Sequence, residues 1–469
     1  MRNPLADRRY PPDPTVTGGL PVANGRTSPP QSRSVKPRRV MRGLTVSFLI
    51  ASIATGLAAS WSSASSNSST LQVATVVPFT GPDAAFGPLF EDSCIPAIKV
   101  IDAEGGVLGH QLKCTGIDTR GDPADAIPVV AKLLASQSTL AAVIGPSSDE
   151  AAAVVPIFNR AKVTMFLGAG QSEFDKVHFP YVWRLTPPDA ATGIAEALWA
   201  KDRLHATRVA AVYVANTTGQ GNVPNAVAAF QRLGGHVVLT QQLTPAAASY
   251  STEAAQLIRA NPQVILFDAD AQTAATYLSE LKQQGGLRPF VAGETIAQAP
   301  WVQSVGSAIG PATLTKYFVA MEGYSPSLNT PGWVAFRDAT VAARSQIGSS
   351  YTSEYLTDTY EETGWDAMNL MALAMLATHS TVSAVYNGAI LGLTQPGAGK
   401  VVVHTFAQGK AALAAGKHIQ WSGASGQIVL DSFHSTTGDY AAVTIGPHSH
   451  NAGILTAKQI TPLLSRILK

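Results

Sequence analysis

At 469 residues and a formal net charge of +2, the chain is too long for one ordinary core and too nearly neutral for a nucleic-acid binder. Charged residues make up 14%, well under the usual quarter, and apolar residues 46%, a balance common in exported proteins. Nine arginines and lysines lie scattered through the first 42 residues and no basic stripe follows them, so no nucleic-acid partner is expected.

Residues 1–40 are rich in proline, arginine and polar residues and read as a disordered extension, or as sequence upstream of the true start if Met41 is the initiator. Residues 41–65 read as a secretory signal peptide. Arg42 precedes the apolar run from Leu44 to Ala59, and small residues follow, with cleavage expected near Ala59 or Ala64. A membrane span needs about 20 apolar residues, so a retained anchor is the weaker reading. Arg38-Arg39 fits a twin-arginine signal poorly. No cysteine follows the run, which argues against a lipoprotein at that site. The two cysteines, Cys94 and Cys114, are expected to form a disulfide in an oxidising compartment, the alternative being two buried thiols.

From Leu71 short β-rich runs alternate with helical stretches. VATVV at Val73, LKCTGID at Leu112, LAAVIG at Leu140 and TMFLG at Thr164 form one series. A second series holds RVAAVYV at Arg208, HVVLTQQL at His236, QVILFDA at Gln263 and PFVAG at Pro289. Apolar strands separated by helices predict parallel sheets covered on both faces, an α/β doubly wound fold. Pro187-Pro188 break the rhythm before it restarts, and irregular stretches near 312–326 and 421–440 make two further breaks. Two lobes joined by three crossovers follow: 71–187 plus 318–420 in the first, 188–317 plus 421–469 in the second. Ligands of open parallel sheets bind beyond the carboxyl ends of the strands, which points to the FTGPDAAFG turn after the first strand.

The order of these pieces resembles the branched-chain-amino-acid-type periplasmic binding proteins of ABC importers, over about 71–460. The matching pieces are FTGPDAAFG, EGGVLGHQLKC with IDTRGDPADA, IGPSSDEAAA, LGAGQSEFD, WRLTPPD, TTGQG, FVAGETI, GWDAM and IQWSGASGQIVLD, in that order. The resemblance implies the type I periplasmic binding fold, an interlobe cleft, no cofactor, a small-molecule ligand, a membrane permease as partner, a monomeric state and a location in the periplasm or at the cell surface.

It also implies a site. Ser148 (or Ser147) with helix N-terminal amides would hold a ligand carboxylate. The loop Ala169, Gly170 and Gln171 would add a carbonyl and an amide, and Glu294 would hold an ammonium through a charge-assisted bond. Phe86 and Tyr360 would line the side-chain pocket. Each has a plainer role open to it: helix cap for Ser147, Ser148 and Asp270, solvated turn for Glu294, core for the aromatics. Gln171, Thr218 and Asp270 depart from the residues usual at their positions, two of them replacing aromatics. That predicts a ligand more polar than leucine or valine.

No nucleophile elbow, HExxH or phosphate loop occurs. Gly219-Gln220-Gly221 lacks the third glycine of a dinucleotide fingerprint, and His448 with His450 makes only two ligands of a metal site, so no metal is expected. The chain reads as a non-enzyme. Delivery of an amino acid or similar polar solute to a permease is the leading function. An exported sensor of the same fold is the alternative, and an exported α/β hydrolase the third.

Overall fold

The computed structural model describes residues 70–467, apart from 82–83, 85, 137–138, 176–178, 325–328, 348–355, 357, 432, 437 and 447–448. The expected signal peptide and N-terminal extension, and His448, lie outside the described residues. So do the side chains of Phe86 and Thr218, whose backbones open the helices Phe86–Ala103 and Thr217–Arg232.

The first sheet contains β1 (Leu71–Val77), β2 (Leu112–Asp118), β3 (Leu140–Ile144), β4 (Met165–Leu167) and β5 (Val182–Arg184), in the order β2-β1-β3-β4-β5. Every pairing is parallel. Pleating sends alternate side chains to opposite faces. Val73, Val77, Ala142 and Ile144 enter one apolar cluster, while Ala74, Val76 and Val143 enter another. Both faces are therefore covered, which is why these runs carry no polar alternation.

The second sheet contains β6 (Arg208–Val214), β7 (His236–Leu243), β8 (Val264–Asp268), β9 (Phe290–Gly293) and β10 (Phe318–Tyr324). A short parallel β11 (Val401–Val403) and β12 (Ile419–Gly423), with β13 (Gly426–Gln427), form a separate three-stranded sheet. β14 (Asp439–Thr444) and β15 (Asn451–Leu455) then extend the second sheet antiparallel, giving β15-β14-β10-β9-β8-β6-β7. Its parallel part, β7-β6-β8-β9-β10, repeats the order of the first sheet. In each half the order reverses beside the first strand of the series, and that reversal leaves a crevice at the strand ends.

Two expected boundaries shift. β10, expected in the first lobe from 318 onward, pairs instead with β9 and β14 in the second sheet. Residues from 421 onward, expected in the second lobe, begin in the first: Trp421, Ile428 and Leu430 are buried in its cluster with Val73 and Trp365. The chain thus crosses between Arg184 and Asp189, between Tyr324 and Pro331, and between Leu430 and Asp439. A proline pair marks the first crossing. The others turn on which sheet a short apolar run joins, and periodicity carries no such information.

The helix Thr359–Thr378 runs through the first lobe with every residue from Glu361 to Met375 buried. Its Asp366 holds the end of β12. One carboxylate oxygen accepts from Trp421 Nε1 (3.1 Å) and the Ala424 amide (2.8 Å), and the other from the Ser425 amide (2.9 Å). Replacing Asp366 by alanine leaves these buried donors unpaired. We expect a loss of about 2–4 kcal/mol in denaturant-induced unfolding.

Cys94, fully buried on the helix Phe86–Ala103, is bonded to Cys114 on β2, with Cα atoms 6.3 Å apart, so the expected disulfide is present. It closes a loop with a sequence separation of 20. Chain-entropy arguments give such a loop about 3 kcal/mol. Reduction, or the double substitution of both cysteines by serine, should lower the melting temperature by several degrees. An unchanged melting temperature would show that the bridge does not constrain the unfolded chain.

Candidate functional site

A cavity of about 110 Å³ lies where the strand ends of both sheets meet, small beside the several hundred Å³ that hold a drug-sized ligand. Ser147 and Ser148 follow β3, Asn216 follows β6, Asp268 ends β8 and Glu294 follows β9. The crevices of the two halves thus open into one space. Tyr360 reaches it from the first lobe, and its hydroxyl donates to Glu294 Oε1 on the second (3.0 Å). A second link across the lobes runs from Asn225 Nδ2 to Ser172 Oγ (3.2 Å).

The expected site residues divide sharply. Ser148, Gly170, Asp270, Glu294 and Tyr360 line the cavity. Ser147 lines it too, but its hydroxyl donates to Glu150 (2.9 Å), whose Oε1 also accepts from the Ser147 amide (3.2 Å). This capping box leaves the Ser147 hydroxyl only as an acceptor towards the cavity. Asp270 caps its helix likewise, Oδ1 accepting from the amides of Gln272 (3.0 Å) and Thr273 (2.9 Å). Ala169 and Gln171 do not line the cavity. Ala169 is packed in an apolar cluster with Leu167 and Phe174, and Gln171 is buried with its main-chain oxygen accepting from Arg184 (3.0 Å). The Gly170 carbonyl is also taken, by the Asp189 amide (2.6 Å) and by Arg184. The loop after β4 is therefore knitted to its own lobe crossing rather than turned to a ligand. Gly170 must lack a side chain there, because a Cβ would lie 2.0 Å from Asp189 Oδ1.

Among the polar residues that sequence reasoning passed over and that also line the cavity are Asp149, Asp189, Asn222 and Asp268. Asp268 was within reach, since it ends an apolar strand whose carboxyl end must face the crevice. Asp189 and Asn222 carry no such signal: the first opens a helix, where polar residues are ordinary, and the second sits one turn into another.

The result is a concentration of negative charge. Asp149, Asp189, Asp268, Asp270 and Glu294 line the cavity, and no lysine, arginine or histidine among the described residues does so. Arg184 lies close by but is buried and committed: it pairs with Asp175 and donates to Ser435 Oγ (3.0 Å) as well as to the two carbonyls. Burial pushes the Glu294 carboxyl up to about 7, the nearby Asp358 adding to the rise and the Tyr360 hydroxyl opposing it. Asp268 is pushed up to about 7, by burial first and then by Asp270, against a bond from Asn222. Asp189 is raised well above the usual range by burial, with Arg184 opposing and Asp268 and Glu294 reinforcing. Their surroundings favour the protonated form, and a bound cation would favour release of those protons to solvent.

A profile of the periplasmic binding protein family matches residues 70–446. The chain belongs to that family. Its members bind solutes without transforming them, as the missing catalytic motifs implied, and the family places them outside the cytoplasm. No helix among the described residues is long and apolar enough to cross a membrane. The chain is 22% identical over 220 residues to an amino acid binding protein of Pseudomonas aeruginosa, covering 47% of this chain and 59% of the relative. It is 23% identical over 247 residues to a leucine-specific-binding protein of Salmonella typhimurium, covering 51% and 64%. The matched stretch thus falls short of two thirds of either relative. Among solved structures, a leucine binding protein from Thermotoga maritima superposes with a TM-score of 0.65 at 18% identity, over 82% of this chain and 99% of that one. A solute binding protein from R. palustris in complex with benzoate gives 0.64 at 16% identity, over 82% and 96%. Both carry the type I periplasmic binding fold expected from the sequence.

The raised carboxyls set a pH dependence. Glu294 has an ordinary value of 4.5 and is held at about 7 in the fold. The folded state therefore binds more protons between those values, and the associated stability is full below about 4.5 and lost as pH rises through about 7. Differential scanning fluorimetry of the unliganded protein should show the melting temperature falling from pH 5 to pH 8. Glu294→Gln should shrink that fall. An identical slope in the variant would mean that Glu294 does not titrate in this window.

Proposed function

We propose that this chain is the extracytoplasmic solute receptor of an ABC importer. It binds a small polar amino compound between its lobes and presents the closed form to a membrane permease. The observation that carries the reading is the single cavity at the facing strand ends, with Ser148 and Tyr360 supplied by the first lobe and Asp268 and Glu294 by the second. A ligand touching both walls stabilises the closed arrangement by its differential contacts, and the hinge follows.

Glu294 is the ammonium acceptor in this reading, with the Tyr360 hydroxyl fixing its orientation. Ser148 at the start of the helix Ser148–Arg160 offers a hydroxyl and the helix N-terminal amides to a second polar group. The acid-rich lining supports a ligand more polar than leucine. The relatives that bind leucine supply the transport context, and the lining sets the chemistry apart from theirs.

A thermal-shift screen of the purified protein against amino acids, amides, polyamines and small carboxylates tests this. A ligand at 100 times its dissociation constant adds about 2.7 kcal/mol and raises the melting temperature clearly. The shift should vanish in Glu294→Ala and weaken in Ser148→Ala, and small-angle scattering should show contraction on binding. A folded protein that responds to nothing in the panel would overturn the receptor reading.

A further inference from the structure

The cleft holds more acceptor capacity than a single ammonium uses. Glu294 and Tyr360 account for one cationic group. Behind them, Asp268 is 3% exposed at the end of β8 and still lines the cavity, so its carboxylate meets only the interior of the cleft. Asn222, 2% exposed, lines the cavity beside it. Its Nδ2 donates to Glu196 Oε1 (2.6 Å), which fixes the amide, and its Oδ1 has no hydrogen-bond partner. Asp189 Oδ2 has none either. Asn222 Nδ2 lies next to the Glu294 turn, where a Cβ on Gly293 would sit 3.1 Å from it, while Oδ1 faces Gly193 of the neighbouring helix. A buried carboxylate without a counter-charge is costly, and a cationic guest N–H group compensates it.

We propose that the ligand carries two cationic nitrogens a short chain apart, one received by Glu294 with Tyr360 and the second by Asp268. This rests on the receptor reading above and narrows its substrate class from amino compounds to diamino compounds. A solute with a single ammonium group, such as leucine, would leave Asp268 facing Asp189 and Asp270 with no counter-charge among the described lining residues. On the first-lobe wall, Asp149 stands at the helix start where a ligand carboxylate would approach, so the guest need not carry one. The diamino acid and the plain diamine share the chemistry that the second subsite recognises.

Isothermal titration of the purified protein with L-lysine, 1,5-diaminopentane and L-leucine decides the matter. At least one of the two dications should bind about tenfold or more tightly than leucine, the value of one added charge-assisted hydrogen bond. Lysine ahead of the diamine assigns a carboxylate contact at Ser148, and the reverse order assigns none; both support the second subsite. Asp268→Asn should bring the preference over leucine back towards parity, while Asp268→Glu, which keeps the charge, should retain most of it. Leucine binding as tightly as both dications, or a preference untouched by Asp268→Asn, overturns the inference and leaves the receptor reading standing. If no compound of these three or of the wider screen binds, both fall. Should Asp268→Asn not fold, the ranking of the three ligands on the unsubstituted protein decides alone.

Discussion

A parallel sheet of order 2-1-3-4-5 sends its crossovers apart on either side of the first strand, and the strand ends at that point have nothing above them. This chain contains two such sheets and turns those bare ends towards each other. Everything polar that matters sits on the resulting seam. The capped helix start at Ser147, the Asp268 end of β8 and the Glu294 turn after β9 are all there because a strand of one of these sheets stops there. The helices behind them serve chiefly to cover the sheet faces, and the fully buried helix Thr359–Thr378 both fills the first lobe and delivers Tyr360 to the seam.

The seam is costly to build. Carboxyls drawn out of water without counter-ions destabilise the fold, and here they answer by holding protons, as the rise of Glu294 and Asp268 to about 7 shows. Two buried acids elsewhere are satisfied by the protein. Asp366 accepts from four donors on the 421–425 turn, and Glu150 accepts from Ser147 and Thr119 (3.0 Å). Asp189 in the cleft has an oxygen left over, as do the buried Glu196 and Glu361 outside its lining. Binding sites in general accept such local deficits because a guest makes them good.

Much of the architecture could be read from apolar runs alone, because strands buried on both faces announce themselves as VATVV or VILFD. Assignment of β10 and of the Trp421 segment failed for a physical reason: both are short apolar runs after long helical stretches, and the sheet each joins is decided by tertiary packing. The site was readable where side-chain chemistry stands out against its local frame, as for Glu294 in a strand-end turn or Tyr360 at a helix start. It was hard to read where the resemblance placed a main-chain contact, at Gly170 and Gln171, since whether a carbonyl is free depends on a distant arginine, Arg184. Asn222 and Asp189 escaped for the opposite reason: nothing in a polar residue near a helix start reveals that one of its oxygens will be left without a donor.

In the receptor proposed above, the charge on the seam also bears on how closing would couple to binding. Asp358 belongs to the first lobe, at the start of the helix that carries Tyr360, and it raises both Glu294 and Glu322 of the second lobe. Like charges approach one another as the lobes come together, so closure without a guest works against Coulomb repulsion in a medium less polar than water. A cation between the walls turns that repulsion into attraction, and it does so only in the closed arrangement, where both walls are within reach. The differential contact that hinge closure requires is thus electrostatic at root. The lining is mostly aspartate, glutamate, serine, threonine, asparagine and glycine, with Tyr360 its lone aromatic among the described residues.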